Sequence, residues 1–153
     1  MMHTVHTRIA TLADVDVIAP LFDAYRQFYA QPADLALATR FIHDRLINNE
    51  SVILLALQAD QQLVGFCQLY PSFCSVEAKP IYALYDLFVT PPARRLGVAK
   101  ALLLAAERQA VASGKARMDL ATAKTNTVAQ AAYAALGWIK DEQFYTYSKA
   151  ING

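Results

Sequence analysis

One stretch of the chain, from residue 86 to residue 103, restricts its possible folds more than any other. The residues from Leu84 to Val89 are mostly apolar or aromatic, which predicts a buried strand. Two prolines follow and end that strand, because proline cannot donate to a sheet ladder. From Val98 to Ala112 the chain is rich in Ala and Leu, which predicts a helix. The sequence therefore predicts a strand, a tight turn and a helix in direct succession.

The turn between this strand and this helix carries the pattern Arg94-x-x-Gly97-x-Ala99. A glycine-bearing turn at a helix N-terminus presents free backbone N–H groups at the positive end of the helix dipole, which favours an anion such as phosphate. The turn is not a Walker loop, because no Gly-Lys-Ser/Thr follows, and Gly97 alone does not make a dinucleotide fingerprint. Taken by itself, the pattern also allows a strand–turn–helix that binds nothing.

Length and composition exclude several classes of function. A chain of 153 residues suits one domain with a single core, predicted to span residues 1–153. The net charge is +1 and no dense Lys/Arg patch occurs, so nucleic-acid binding is not predicted. No run approaches the ~18 apolar residues that cross a membrane, and the first residues lack an apolar signal segment, so we expect a cytoplasmic protein. Cys67 and Cys74 have no zinc or redox spacing and are predicted to be free thiols, with no metal site.

The remaining elements follow from apolar periodicity and from turn residues. Thr11-x-x-Asp14 resembles a capping box at the start of a first helix, in which Pro20 is expected to cause a kink or a break. The order predicts a mixed α/β domain. The other predicted elements are a strand at 5–10, the first helix at 12–29, a second helix at 33–48, a hairpin at 52–57 and 63–70, a strand at 117–123, a helix capped by Asn126 and ending at 136, and two strands at 138–140 and 144–149.

Two ordered motifs resemble those of the GNAT acyltransferases. Val89-x-Pro91-x-x-Arg94-x-x-Gly97-x-Ala99-x-x-Leu102-Leu103 resembles the family's loop for the pyrophosphate of coenzyme A. Asn126-x-x-Ala129-x-x-x-Tyr133-x-x-x-Gly137-Trp138 resembles its second motif, in which an Asn and a Tyr on one helix flank the thioester. The run from Tyr85 to Val89 most resembles the branch of histone/polyamine and diamine acetyltransferases.

The resemblance implies a fold and a cofactor. The fold is a mixed central sheet of about seven strands, flanked by about four helices, with a splayed central strand pair. The cofactor is acetyl-CoA, whose amide-rich arm would pair with the backbone of Leu87 and Val89, and the Leu87 N–H would polarise the thioester carbonyl. Arg95 stands where many members have glycine. The residues implied in cofactor binding are Leu87, Phe88, Val89, Arg94, Arg95, Leu96, Gly97, Val98, Ala99, Lys100, Asn126 and Tyr133.

Two residues are predicted to be catalytic. By resemblance, Tyr133 is the general acid at the leaving sulfur. Asp86 is the only acid in its strand and is expected to bind a cationic acceptor or to take its proton, although a structural salt bridge or cap is the alternative. Many histone-acetylating members carry a Glu where this chain has Ala83, so Tyr85 or a water wire could serve as the base instead. The residues predicted to bind the acceptor are Tyr25, Tyr29, Tyr70, Tyr85 and Asp86. Core packing is the alternative for Tyr25 and Tyr29, and an ordinary loop position is the alternative for Tyr70.

The resemblance therefore implies an acetyl-CoA-dependent N-acetyltransferase. It would move the acetyl group directly to a primary amine of a small cationic acceptor, such as a polyamine or diamine. A protein or peptide amine is the second acceptor class, and an acyl-CoA-binding regulatory module without catalysis is the rival from another class. The aromatic segment 144–148 predicts contact with a second copy of the chain, and hence a homodimer.

Overall fold

The computed structural model describes residues 4–151. Within that range it contains five strands and four α-helices, with single-turn 3-10 helices at Leu12–Asp14 and Pro91–Ala93. The chain divides into two compact units, a first unit that ends at Ala121 and a second that begins at Thr122. The prediction of one domain over residues 1–153 stays a prediction. The elements are β1 (Val5–Ile9), α1 (Val15–Phe28), α2 (Leu35–Ile47), β2 (Val52–Gln58), β3 (Leu63–Cys74), β4 (Lys79–Val89), α3 (Val98–Ala112), β5 (Met118–Asp119) and α4 (Thr127–Ala135).

The first unit is built on one mixed sheet with helices on both faces. The strand order is β1-β2-β3-β4-β5; the first three pairs are antiparallel, and β5 runs parallel to β4. On one face, α1 and α2 contribute Phe22 and Ile42 to a core that includes Phe66 of β3. On the other face, α3 lies so close to β3 that a Cβ on Gly65 would stand 3.1 Å from Val98. No helix among residues 4–151 is long and apolar enough to cross a membrane.

The prediction of about seven strands is wrong for the described residues, which form five. Residues 138–140 and 144–149 form no strand, and the strand predicted at 117–123 is reduced to Met118–Asp119. A period-two pattern becomes a strand only where a neighbouring edge accepts its backbone hydrogen bonds. No edge pairs with these segments in the described part of the chain, so the local alternation was not sufficient.

The hairpin of β3 and β4 extends further than its composition predicts. The segment 71–79 was expected to be a connection, yet β3 continues to Cys74 and pairs there with Lys79. The connection is only the turn at 75–78. Pro71 cannot donate a hydrogen bond to the sheet, but the residues on both sides of it pair with β4 and continue the strand.

The first helix is continuous from Val15 to Phe28, so Pro20 does not break it. Pro20 and Asp16 are both exposed, so solvent can reach the Asp16 carbonyl, to which proline cannot donate. The start of this helical segment is held by Asp14. Its carboxylate accepts the backbone N–H of Thr11 at 2.8 Å and two N–H groups of Arg8 at 2.8 and 2.9 Å.

Candidate active site

The edge of β4 that would hold an extended ligand is in the first unit. The ladder between β4 and β5 covers only Tyr82 and Ala83, whereas β4 continues to Val89. The backbone from residue 84 to 89 therefore has no parallel partner from β5. Leu87 is half-buried and Val89 is buried, so these two residues would act on a ligand through their backbone groups. Their pairing with the cofactor arm stays a prediction.

A β-bulge in β4 gives Tyr85 and Asp86 different environments. Asp86 pairs with Gln68, but the next pair along the ladder is Leu84 with Leu69, so Tyr85 is the extra residue. A bulge bends a strand and redirects a side chain. Tyr85 is 71% exposed, and its ring meets that of Tyr70 at 5.6 Å, whereas Asp86 beside it is 7% exposed.

Asp86 is a buried carboxyl held by hydrogen-bond donors. Gln68 Nε2 donates to Asp86 Oδ2 at 2.8 Å, and Ser51 Oγ donates to Gln68 Oε1 at 2.8 Å. Burial raises the pKa of Asp86 above its usual value, and hydrogen bonds from Gln68 and Tyr25 offset part of that rise. No Lys, Arg or His among residues 4–151 forms an ion pair with Asp86. Within that range, Asp86 therefore does not form the structural salt bridge that was its alternative role.

Two of the predicted tyrosines interact with Asp86: Tyr25, which also packs against the core, and the half-buried Tyr70. The ring of Tyr25 packs against Phe66 and Phe88 at 5.7 and 5.9 Å, and its interaction with Asp86 lowers the pKa of that carboxyl. Burial, followed by the charge of Asp86, raises the pKa of Tyr25 well above its usual value. The same two causes raise the pKa of Tyr70 to about 12. Both phenols are thus neutral hydrogen-bond donors at neutral pH.

The other two tyrosines lie at the surface. Tyr29 is about half exposed and touches the ring of Tyr25 at 5.2 Å, edge to face. Together with Tyr85 and Tyr70 it adds ring faces near the carboxyl, and ring faces attract cations. The structure thus places all four predicted tyrosines in contact with Asp86, with Tyr25 or with one another. Their role in binding an acceptor stays a prediction.

The turn before α3 has the geometry of an anion cradle. Gly97 caps α3 with φ +80°, and a Cβ at this position would find no atom within 4 Å. The N–H groups of the first helical turn have no partner inside the helix, so they are available to a ligand. Arg95 also takes a left-handed conformation, with φ +66°, at the position where many family members have glycine. That conformation strains a residue with a side chain, which is why glycine suits the position.

Arg94, one of the cationic residues implied in cofactor binding, contacts the neighbouring strand and helix. Its Nε donates to the carbonyl of Val89 at 3.0 Å, and its guanidinium lies 5.7 and 5.6 Å from the ring centres of Phe28 and Phe88. These contacts attach the turn to the end of β4. Lys100 is exposed in the first turn of α3 and carries its charge beside the cradle.

The second unit carries the other predicted motif on α4. Asn126 caps this helix, with its Oδ1 accepting the N–H of Ala129 at 3.2 Å. Tyr133 follows two turns later, and its ring lies 6.1 Å from that of Trp138. The prediction that Asn126 caps a helix is confirmed. The functions of Asn126 and Tyr133 at the cofactor stay predictions.

Ser51, Gln68 and Asp86 form a hydrogen-bonded group, called here the Asp86 cluster. Ser51 and Gln68 were not identified from the sequence. Gln68 was detectable in principle, because it is an amide within the otherwise apolar run from Leu63 to Leu69. A polar side chain in such a strand needs a buried partner. Ser51 carries no comparable signal, since serine is common where a helix ends and a strand begins.

Comparison with known proteins identifies the family. The acetyltransferase (GNAT) family model matches residues 18–138. The chain is 44% identical over 140 residues to the “Uncharacterized N-acetyltransferase YhfO” of Bacillus subtilis (strain 168), covering 92% of this chain and 93% of the relative. An aminoglycoside N(6')-acetyltransferase type 1 of Salmonella typhimurium is 32% identical over 96 residues, covering 60% of this chain and 65% of the relative. The crystal structure of a probable acetyltransferase superposes with a TM-score of 0.90 at 40% identity, covering 97% of this chain and 99% of the other.

The matched region, residues 18–138, contains the bulged strand, the cradle before α3 and the motif on α4. The chain belongs to the GNAT family of acetyltransferases, enzymes that use acetyl-CoA.

Proposed function

We propose that this enzyme transfers the acetyl group of acetyl-CoA directly to a primary amine of a small cationic acceptor, as in the polyamine and diamine branch of the family. One observation carries the choice of acceptor: the buried Asp86 has no cationic partner among residues 4–151 and is surrounded by tyrosines. A carboxylate beside aromatic faces attracts a cation through charge and through the ring quadrupoles. The proposal also places the reaction in the cytoplasm and the enzyme in a homodimer.

The residues of the first unit suit the donor. The open turn at Gly97 and the first N–H groups of α3 fit a pyrophosphate, and the β4 edge fits the amide-rich arm. When bound, acetyl-CoA supplies a thioester carbonyl that an amine can attack. The N–H of Leu87 would donate to the oxygen of that carbonyl as negative charge develops there.

Two protons must move during the reaction. The acceptor is an ammonium in solution and has to lose a proton before its nitrogen can attack, and the raised pKa of Asp86 suits it to accept that proton. The leaving sulfur needs a proton or a donor, and we assign this to the hydroxyl of Tyr133. The support for Tyr133 is its spacing from Asn126 on α4 together with membership of the family.

The relatives support a cationic acceptor without naming it. One relative is an aminoglycoside acetyltransferase, and aminoglycosides are themselves compounds with several amino groups. A protein or peptide amine is the second candidate, because a lysine side chain is also a primary ammonium. Membership of an enzyme family argues against a regulatory module without catalysis.

The test is a panel of acceptors combined with the substitution Asp86→Asn. Polyamines, diamines, aminoglycosides, amino acids and lysine peptides are assayed by release of free CoA. We expect small cationic amines to be the best acceptors, and Asp86→Asn to raise KM for them at least tenfold. A collapse of kcat as well would assign proton transfer to Asp86.

Asp23→Asn is the matched control, because Asp23 is as buried as Asp86 but lies on α1 beside Arg26. It should leave both constants within about twofold. An anionic best acceptor, or an Asp86→Asn enzyme with unchanged KM and kcat, would contradict the proposal.

A further inference from the structure

A chain of buried hydrogen bonds runs from Asp86 across β3 to the start of β2. Ser51 Oγ donates to Gln68 Oε1, and Gln68 Nε2 donates to Asp86 Oδ2, both at 2.8 Å. All three side chains are buried, and Gln68 is completely so. Such a network is costly to bury unless every member is satisfied, and no buried side-chain polar atom among residues 4–151 lacks a partner.

The order of donors in this chain depends on the Ser51 hydroxyl. One end of a carboxamide only accepts hydrogen bonds, and the other end only donates them. Because Ser51 donates to the oxygen of Gln68, the amino end of Gln68 faces Asp86. An ionised carboxylate accepts this hydrogen bond with its full charge, whereas in a protonated carboxyl the oxygen without a proton is a weaker acceptor. The arrangement therefore favours the ionised carboxylate, in opposition to burial.

We propose that Ser51 and Gln68 are a positioning pair that keeps Asp86 ionised and fixes its Oδ2, leaving the carboxylate ready for the ammonium group of the acceptor. The inference rests on the proposed function, in which Asp86 meets the acceptor. Neither Ser51 nor Gln68 touches the acceptor in this proposal; both act through Asp86.

Other titratable groups surround Asp86 and would contribute to its pH dependence. Those whose electrostatic or hydrogen-bond interactions connect them to this cluster are Tyr25 on α1, Tyr29 just after it, Cys67 and Tyr70 on β3, and Tyr85 on β4. Burial, and after it the charge of Asp86, raises the pKa of the Cys67 thiol, so this thiol is neutral at neutral pH. Arg45 and Glu50 are the charged side chains that act on Tyr70, with opposite signs. None of these groups is changed in the experiment below, so a change in the titration of Asp86 reports on the pair.

The decisive variant is Ser51→Ala, which removes the hydroxyl that donates to Gln68 and keeps Gln68 itself. The amide can then rotate and present its oxygen to a protonated Asp86. We expect the titration midpoint of the Asp86 carboxyl, followed by carbon-13 NMR in the free enzyme, to rise by about one pH unit, the size of one hydrogen bond to a charged group. The acidic limb of kcat/KM for the best amine should move by the same amount, with plateau values within about twofold.

A second variant and a control complete the test. Gln68→Met keeps the chain length but removes the donor, and it should raise the midpoint at least as far as Ser51→Ala does. Ser113→Ala is the control: its hydroxyl bonds Tyr82 and Gln109, so it should leave the midpoint in place. Urea unfolding shows whether each variant is folded, and if one is not, the other carries the test.

The outcomes separate this inference from the proposed function. An unchanged Asp86 midpoint in the folded variants overturns the positioning pair, whatever the activity of Asp86→Asn. A raised midpoint together with a shifted acidic limb supports both. A raised midpoint with full activity of Asp86→Asn supports the effect of the pair on ionisation and overturns the proposed function.

Discussion

At the scale of the residue, neighbouring positions of one strand have opposite environments. Tyr85 is at the surface and Asp86 is buried, although both lie in an apolar strand, because the bulge at Tyr85 adds one residue to the ladder. The buried carboxyl accepts a hydrogen bond from Gln68 on β3, and Gln68 in turn accepts one from Ser51, just before β2. The surroundings of Asp86 are therefore set by residues that are distant in sequence.

A prediction at the scale of the residue concerns Tyr133, the proposed general acid. Tyr133→Phe removes one hydroxyl and keeps the ring that contacts Trp138. We expect kcat to fall by ~10²–10⁴, the usual contribution of general acid catalysis, with little change in the affinity for acetyl-CoA. Tyr145→Phe, at an 89% exposed position of the second unit, is the control and should be fully active. Unchanged turnover of Tyr133→Phe, when chemistry limits the rate, would remove Tyr133 from the mechanism.

At the scale of the element, α3 is the helix whose start is proposed to bind the pyrophosphate of the cofactor. Its first turn follows a glycine in the left-handed region, and its end is followed by another, Gly114, with φ +70°. A Cβ at either glycine would find no atom within 4 Å. The two ends of α3 thus have similar backbone strain but opposite electrostatic character, because the helix dipole is positive only at the start.

This symmetry gives a matched test of the cradle. Acetyl-CoA should raise the melting temperature of the enzyme, since it binds the folded state. Gly97→Glu should abolish that rise by placing bulk and negative charge at the pyrophosphate, whereas Gly114→Glu should lower the starting melting temperature similarly but keep the rise. A folded Gly97→Glu enzyme that still responds to acetyl-CoA would show that the phosphates bind elsewhere.

The start of the first helical segment gives a prediction for stability against pH. Hydrogen bonds from Arg8 lower the pKa of Asp14 to about 2, although burial opposes this change. A carboxyl with a lowered pKa stabilises the fold at a pH above its ordinary pKa of about 4, and that contribution is lost as the pH falls towards 2.

We therefore expect Asp14→Asn to lower the free energy of unfolding by about 1 kcal/mol at pH 7, the size of a lost cap. Because Arg8 is nearly half exposed, solvent screens much of the charge interaction, and the loss should stay near this value. The difference from the unmodified enzyme should shrink as the pH falls from 4 to 2. Urea unfolding at several pH values measures it, and a difference that grows towards low pH would contradict the assignment.

At the scale of the whole molecule, an exposed aromatic segment near the C-terminus bears on assembly. Three aromatic side chains of the second unit, Phe144, Tyr145 and Tyr147, are at least 78% exposed. Exposed aromatic residues in one short segment are typical of a protein interface. We propose that this segment meets a second copy of the chain.

Light scattering tests the proposed dimer. The mass in solution should be twice the 16.9 kDa of one chain. Tyr145→Arg combined with Tyr147→Arg should reduce it to one chain, whereas Val76→Arg, at an exposed position of the turn between β3 and β4, should not. A monomer across micromolar concentrations would refute the dimer.

Local features were predictable because the residues that cause them are adjacent in the chain. The bounds of α3 follow from its Ala and Leu content between the turn at Gly97 and the turn at Gly114, and the structure has the helix where it was predicted. Asn126 was predicted to cap α4, since a cap needs only the next three residues. The two motifs also indicate the family, because each is a short local pattern.

Features that depend on pairing between distant segments were decided by the tertiary structure alone. The number of strands is the first such feature. Residues 144–149 alternate like a strand, but a strand requires an edge that the local pattern cannot supply. The Asp86 cluster is another, because it forms only when the register of β3 on β4 sets Gln68 opposite Asp86. Sequence by itself determined the family and the local elements, whereas register and burial decided which carboxyl is held and by which donors.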